Sequence, residues 1–304
     1  MHTSSIDEYI AQFDYSAKRN YTKFKKWKRL ICSPNEPLRW YQYIIKNWLE
    51  SIYSFPSYIT WFRKWISIQD NAKIHHNQDF IMAIDIVDFF GNIKIWDLQS
   101  TLKPLKLKNL DKLLEFITLE WKLPQWSPSS PILSNITFEK IDYKLVHFLK
   151  QVEPNITYSR YVDDISIWYN LKQNTPTILE GIKNTLLQYW FKINTKKYRV
   201  FQKGKHQKIT WMILSEEHIW IWYKKYRIVR KIIYNYLRWE RGYYPSIKWL
   251  LLYIKWVDFY RYIKLKEVFN EQFSNESRYQ ELFSVDKTGN PIKKLKKNFF
   301  HHLF

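Results

Sequence analysis

Tyr158-Ser159-Arg160-Tyr161-Val162-Asp163-Asp164-Ile165-Ser166-Ile167 is the stretch on which the fold turns. Apolar and polar residues alternate on both sides of an adjacent aspartate pair, so it reads as two short strands with both carboxylates at the bend between them. Two like charges held side by side on a hairpin repel each other unless a positive charge sits beside them. A divalent metal is the usual solution, because hard cations prefer carboxylate oxygen. Asp is also a good turn former, so the pair by itself supports either reading and the rest of the chain must decide.

Upstream, Phe80-Ile81-Met82-Ala83-Ile84-Asp85-Ile86 is a continuous apolar run broken by one acid, the pattern of a strand buried on both faces. An ionised Asp at the end of such a strand is expensive to bury without a partner, which makes Asp85 a functional candidate. Phe89, Phe90 and Gly91 follow it. Residues 97–121 read as amphipathic helix, and Leu123-Pro124-Gln125 opens a loop. Ser130-Pro131 then reads as the N-cap and first position of a helix carrying Leu133, Ile136, Ile141, Leu145 and Phe148.

Past the hairpin, Thr177–Tyr189 reads as helix, Phe191–Asn194 as an edge strand and Lys208–Leu214 as a further strand. Strand, helix, hairpin, helix, strand is the order of an α+β sandwich with helices on one face of an antiparallel sheet. Nearer the N-terminus, Leu38–Tyr53 has helical periodicity and is stopped by Pro56.

The 304 residues suffice for about two domains. Forty-nine Lys and Arg against 28 Asp and Glu give a net charge of +21, spread along the chain. Such a field attracts polyanions, with nucleic acid the commonest and an anionic membrane surface the alternative. From Trp220 onward, Lys224, Lys225, Arg227, Arg230, Lys231, Arg238 and Arg241 alternate with Tyr and Ile in expected helix, and a second helix is expected from Ser246 to about Phe273. This suits a surface that tracks a phosphate backbone. Lys293–Lys297 reads as a frayed basic end. No apolar run is long enough to span a bilayer, and the N-terminus lacks a signal pattern. The lone cysteine, Cys32, excludes an internal disulfide and fits a reducing cytoplasm.

Taken together, Asp85 and, 78 residues later, Asp163-Asp164 resemble the catalytic carboxylates of reverse transcriptases. Tyr161-Val162-Asp163-Asp164 matches the family's Tyr-X-Asp-Asp, and Phe90 stands at its aromatic position five residues after the first acid. The family loop Leu-Pro-Gln-Gly-X-Pro-X-Ser-Pro-X-Leu-Ser-Asn is matched by Leu123 to Asn135 at every position except the fourth, where Trp126 replaces Gly. Bacterial retron enzymes look most similar. Asn71-Ala72-Lys73-Ile74-His75 matches their Asn-Ala-X-X-His, and Ile209-Thr210-Trp211 matches their Val-Thr-Gly in part. Arg29-Leu30-Ile31-Cys32-Ser33-Pro34 and Phe191-Lys192-Ile193-Asn194-Thr195-Lys196-Lys197 are similar to two further family motifs. The likeness covers roughly residues 20–260.

The resemblance implies a right-hand polymerase: fingers over 1–80 with part of 97–121, palm over 81–215, and a helical thumb with basic tail over 216–304. It implies RNA-directed DNA synthesis with two Mg2+ ions, Mn2+ being an alternative, held by Asp85, the Ile86 carbonyl, Asp163 and Asp164. Phe90 would exclude a ribonucleotide 2′-hydroxyl, Arg29 and Lys26 would hold the triphosphate, and Gln125 and Tyr161 would contact substrate. Lys197 would neutralise or protonate pyrophosphate. The implied partners are deoxynucleoside triphosphates, an RNA–DNA duplex and a structured non-coding RNA serving as template and primer. An effector protein and a setting in antiviral defence are further expectations of the retron type. No acidic constellation follows residue 215, so no ribonuclease H domain is expected in this chain. Two readings stand beside this one: another bacterial reverse transcriptase, of antiphage or diversity-generating type, and a non-catalytic RNA-binding scaffold with a polymerase fold.

Departures from the family pattern share one direction. Trp stands where the family has Gly at 27, 61, 65, 126, 190 and 211, and in the less clear cases 121 and 249. The chain has five Gly and 16 Trp, and together they equal the ~21 Gly an average chain of this length would carry. Gly supplies positive φ or close approach, and Trp supplies neither. The expectation is a codon read as Gly in the source organism and translated here as Trp. A chain made literally would then fold poorly and block the template or nucleotide path at Trp126.

Overall fold

The computed structural model describes residues 3–26, 29–63, 66–76, 79–205, 207–214, 219–239 and 244–283. Trp27, Trp65, Arg241 and the 293–297 tail lie outside them, as do the side chains of Lys26 and Arg29. The chain divides into two units, Met1–Ile66 with Gln78–Val200, and Ser67–Asn77 with Phe201–Phe304.

In the first unit, α1 (Thr3–Ala11) precedes the antiparallel hairpin of β1 (Tyr21–Lys26) and β2 (Arg29–Pro34), in which Lys26 faces Arg29. Next comes α2 (Leu38–Ile52), which buries the stripe Leu38, Tyr41, Ile45, Trp48 and Leu49. After α3 (Ile68–Lys73), which belongs to the second unit, come β3 (Phe80–Asp85), α4 (Phe89–Asn92), α5 (Ile95–Leu102) and α6 (Leu110–Ile117). Pro104 sits in a short 3-10 turn between α5 and α6, so residues 97–121 form two helices where one was expected. Then α7 (Ser130–Val152) leads into β4 (Thr157–Tyr161), β5 (Asp164–Tyr169) and α8 (Thr175–Leu187).

The carboxylate-bearing strands lie in a four-stranded sheet of order β4-β5-β3-β6, where β6 is Arg199–Gln202. β3 runs antiparallel to β5 at its centre, which accounts for its unalternating apolar sequence. Ile84 and Ile165 from the strands share one core with Ile136 and Ile141 of α7 and Ile178 and Ile182 of α8, the helix-on-sheet arrangement of an α+β fold. Two local expectations are corrected. Ser129, not Ser130, precedes α7, and the Ser130 hydroxyl instead donates to the Pro124 carbonyl at 2.5 Å, tying the helix to the 123–129 loop. Phe191–Asn194 is no full strand: it joins β3's end through one antiparallel bridge, Ile86 to Ile193.

In the second unit, α3 carries a capping box in which Ser67 and Asp70 satisfy each other's backbone donors. The 208–214 segment is a hairpin, β7 (Gln207–Ile209) and β8 (Met212–Leu214), extended by β9 (Ile219–Ile221). It turns at Thr210, which adopts φ 51°. The helices are α9 (Tyr223–Trp239), α10 (Tyr244–Val257), α11 (Phe259–Phe273) and α12 (Ser277–Phe283). The expected helix from 246 to 273 is broken at Asp258, whose carboxylate accepts from Arg261 N at 3.1 Å and Ile221 N at 2.9 Å. Along α9, Lys224, Arg227, Lys231 and Arg238 are exposed at helical spacing, opposite buried Ile233 and Leu237. No helix among the described residues is long and apolar enough to cross a membrane.

Among the described residues three tryptophans adopt left-handed backbone: Trp121 at φ 63°, Trp126 at 80° and Trp190 at 65°. All three stand where the sequence pattern expects Gly. Trp61, Trp211 and Trp249, also at such positions, are not left-handed, although Phe62 and Thr210, next to the first two, are.

Candidate active site

The three aspartates meet because of strand register. Asp85, the last residue of β3, pairs directly with Asp164, the first of β5, and Ile86 N donates to the Asp163 carbonyl at 2.9 Å. Tyr161 pairs with Asp164, which leaves Val162-Asp163 as a two-residue hairpin loop. Such loops need left-handed backbone to match strand twist, and Val162 supplies it at φ 61°. For a β-branched residue that conformation is strained by ~1–3 kcal/mol.

Asp85 is buried, and each carboxylate oxygen has a partner: Oδ1 accepts from Asn194 Nδ2 at 2.8 Å and Oδ2 from Lys197 Nζ at 2.6 Å. Asn194 N also donates to the Asp85 carbonyl at 2.8 Å, so the 191–197 segment clasps the end of β3. Burial, the largest single influence on Lys197, lowers its pKa. The hydrogen bond to Asp85 and the charges of Asp85, Asp163 and Asp164 outweigh it and hold the ammonium above its ordinary value. Lys197 therefore senses all three carboxylates. Among the described residues no three His, Cys, Asp or Glu side chains form a ready-made metal-ligand cluster, and both carboxylate oxygens of Asp85 are hydrogen-bonded to protein side chains.

Beside the hairpin, the Trp61 ring stands edge-on to Phe90 at 6.2 Å and tilted to Tyr161 at 6.5 Å, so Phe90 and Tyr161 flank one indole. Gln125 is half-buried in the 123–129 loop, next to left-handed Trp126. That loop is anchored by Gln42, which is fully buried, accepts from Ser127 Oγ at 2.5 Å and donates to Tyr21 and to the Phe116 carbonyl. Lys26 and Arg29 have strand backbone in β1 and β2, and their side chains are outside the description.

Two fully buried charged groups, Arg160 and Asp142, were missed by sequence reasoning. Arg160 and Asp142 are fully buried and paired, Nη2 to Oδ2 at 2.8 Å and Nε to Oδ1 at 2.9 Å, with Tyr158 donating to the same carboxylate. Burial, the largest influence on Arg160, opposes its charge, and the Asp142 carboxylate more than restores it. A polar residue in the apolar stripe of α7, at 142, was the available clue.

A buried acid closing a central strand, clasped by a lysine and faced by an Asp-Asp hairpin on the neighbouring strand, defines a polymerase palm. The chain belongs to the reverse transcriptase (RNA-dependent DNA polymerase) family, whose model matches residues 17–239. Within that family it is of the retron type. It is 28% identical over 234 residues to the retron Ec86 reverse transcriptase of Escherichia coli, covering 75% of this chain and 71% of that one. To the retron Ec73 reverse transcriptase of the same species it is 30% identical over 200 residues, covering 60% of this chain and 63% of that one. The fold resembles that of telomerase from Candida albicans, solved with a fragment of telomeric RNA, at TM-score 0.51 and 10% identity over 93% of this chain and 68% of that one. Apo telomerase from Candida tropicalis gives 0.53 and 10% over 93% and 62%.

Proposed function

We propose that the protein copies a structured non-coding RNA into DNA by two-metal nucleotidyl transfer, with that RNA as template and primer. The observation that carries this reading is the register pairing of Asp85 with Asp164, next to Asp163, in a protein of charge +21. Hard carboxylate oxygens suit Mg2+, with Mn2+ as an alternative, and Asp85, Asp163, Asp164 and the Ile86 carbonyl would hold the ions. When bound, such ions lower the pKa of the attacking hydroxyl and absorb charge on the leaving pyrophosphate.

The chain's own residues do the rest. Lys197, kept as an ammonium beside the carboxylates, supplies positive charge or a proton to the departing pyrophosphate. Phe90 supports the incoming sugar and rejects a 2′-hydroxyl by clash. Gln125 and Tyr161 line the nucleotide and templating pair, and Lys26 and Arg29 meet the triphosphate as the fingers. The exposed basic stripe of α9 tracks the backbone of the RNA–DNA duplex as part of the thumb. A cytoplasmic setting in antiviral defence with an effector protein is the corresponding biological proposal.

The test is metal-dependent incorporation of deoxynucleotides on an RNA template by the chain as given and by a form with Gly at the six clear positions. An Asp163→Asn, Asp164→Asn double variant loses the activity. Equal activity in that variant overturns the reading, and sequencing of copurifying nucleic acid identifies the template. RNA binding without incorporation in every form would favour a scaffold.

A further inference from the structure

We propose that Arg160 is a positioning residue for the catalytic hairpin, coupling the Val162-Asp163 loop to α7 and to the Tyr58–Trp61 segment. The proposal rests on the polymerase reading above.

Arg160 spends its guanidinium in three directions. Nε and Nη2 take Asp142, while Nη1 makes no bond to Asp142 at all: it donates to Asn135 Oδ1 at 3.1 Å and to the Val162 carbonyl at 3.1 Å. Val162 is the strained left-handed residue that turns the loop, so one arm of Arg160 grips the residue immediately before Asp163. Asn135 passes the connection on by donating from Nδ2 to the Trp61 carbonyl at 2.9 Å. The backbone of Arg160 holds the same segment: its N–H donates to Tyr58 O at 2.8 Å, and its carbonyl accepts from Thr60 N at 3.0 Å and Thr60 Oγ1 at 3.1 Å. The guanidinium also lies 4.8 Å from the centroid of the Phe138 ring and 5.8 Å from that of Phe89.

A buried ion pair can serve the core alone, and a well-packed apolar pair then replaces it without loss. Two features point elsewhere. A partner for Asp142 alone needs no arm aimed at a strained loop carbonyl. The geometry also needs a planar fork with donors on separate sides, which a lysine lacks even though it keeps the charge. Arg160→Lys therefore preserves compensation of Asp142 and removes the grip on the loop. Asn135→Ala leaves the ion pair untouched and removes the second acceptor of Nη1 together with the link to Trp61.

The experiment measures Mn2+ affinity of the full chain by electron paramagnetic resonance of the free ion, together with unfolding temperature, Mg2+ half-saturation and kcat. For Arg160→Lys, a folded protein with Mn2+ affinity weakened about tenfold is expected, with Mg2+ half-saturation raised to match and KM for nucleotide within about twofold of the parent. Asn135→Ala moves the same way by a smaller factor. Parental Mn2+ affinity and Mg2+ half-saturation in a folded Arg160→Lys overturn the proposal. If that variant fails to fold, parental values in Asn135→Ala overturn it. A parent that binds Mn2+ but incorporates nothing even with Gly at the six clear positions refutes the polymerase reading and leaves the Mn2+ comparison to decide this one. A parent that binds no Mn2+ refutes both.

Discussion

Replacing Trp121 and Trp190 with glycine should stabilise the protein, although both changes delete the largest side chain there is. Both residues hold left-handed φ, and both are mostly solvated, 68% and 83% exposed, so little burial is lost. Left-handed backbone disfavours an L-residue by ~1–2 kcal/mol. Glycine's extra freedom in the unfolded chain returns about 0.5–1 kcal/mol of that. The net gain is then ~0.5–1 kcal/mol per site, or ~1–2 kcal/mol for the pair. At about 2–4 °C per kcal/mol, calorimetry should show a melting temperature several degrees higher. The control is the same substitution at Trp96, which is also well exposed but lies in α5 with helical backbone. There glycine is destabilising by about 1 kcal/mol, so the melting temperature falls. If Trp121→Gly and Trp190→Gly lower it as Trp96→Gly does, the argument from φ fails. Trp126 is half-buried beside Gln125, and its change to glycine is read in activity: incorporation rises at least about tenfold if the indole obstructs the path, equivalent to ~1.4 kcal/mol. The codons for 121, 126 and 190, or the mass of protein from its source, then show whether the organism itself places glycine there.

Two further outcomes are expected. Phe90→Ala relaxes sugar selection, raising ribonucleotide incorporation relative to deoxynucleotide by about tenfold or more in competition assays, with DNA synthesis retained; unchanged selectivity would remove Phe90 from that role. His75 is fully buried, and burial pushes its pKa down to about 3. A folded pKa below the unfolded one means that the unfolded chain binds the proton first. Stability is then complete above about pH 6.5 and falls by up to ~1.4 kcal/mol per pH unit as pH drops towards 3. His75→Gln should flatten melting temperature against pH in that window, and an unchanged slope would refute the assignment.

The carboxylates were legible because their signal is local: an acid ending an apolar run, and an acid pair between alternating strands. Most helices were legible for the same reason. What escaped needed partners distant in sequence. Arg160 occupies an ordinary strand position until Asp142 and Asn135, from a helix begun thirty residues earlier, close around it. Asp258 stands within an unbroken helical pattern, and the helix stops there because its carboxylate caps Arg261 N and takes a distant donor, Ile221 N. The 208–214 run looks like one strand because a left-handed Thr210 leaves no compositional mark. The turns that Trp121, Trp126 and Trp190 make were marked only by the family resemblance, since in the sequence itself the residue that normally announces left-handed backbone is replaced by one that argues against it.

The chain passes between its two units three times, after residues 66, 77 and 200. An eleven-residue excursion, Ser67–Asn77, thus belongs with a unit whose other members begin more than 120 residues later, and it returns just ahead of the strand that ends in Asp85. No single cut separates the two halves. A fragment ending at 200 would keep that excursion as an orphan loop exposing Ile68, Ala72 and His75, all now buried. Dissection of this protein, by protease or by cloning, therefore has to treat 67–77 and 201–304 as one inheritable piece, and chimaeras that exchange only the C-terminal segment will carry a mismatched remnant of the parent.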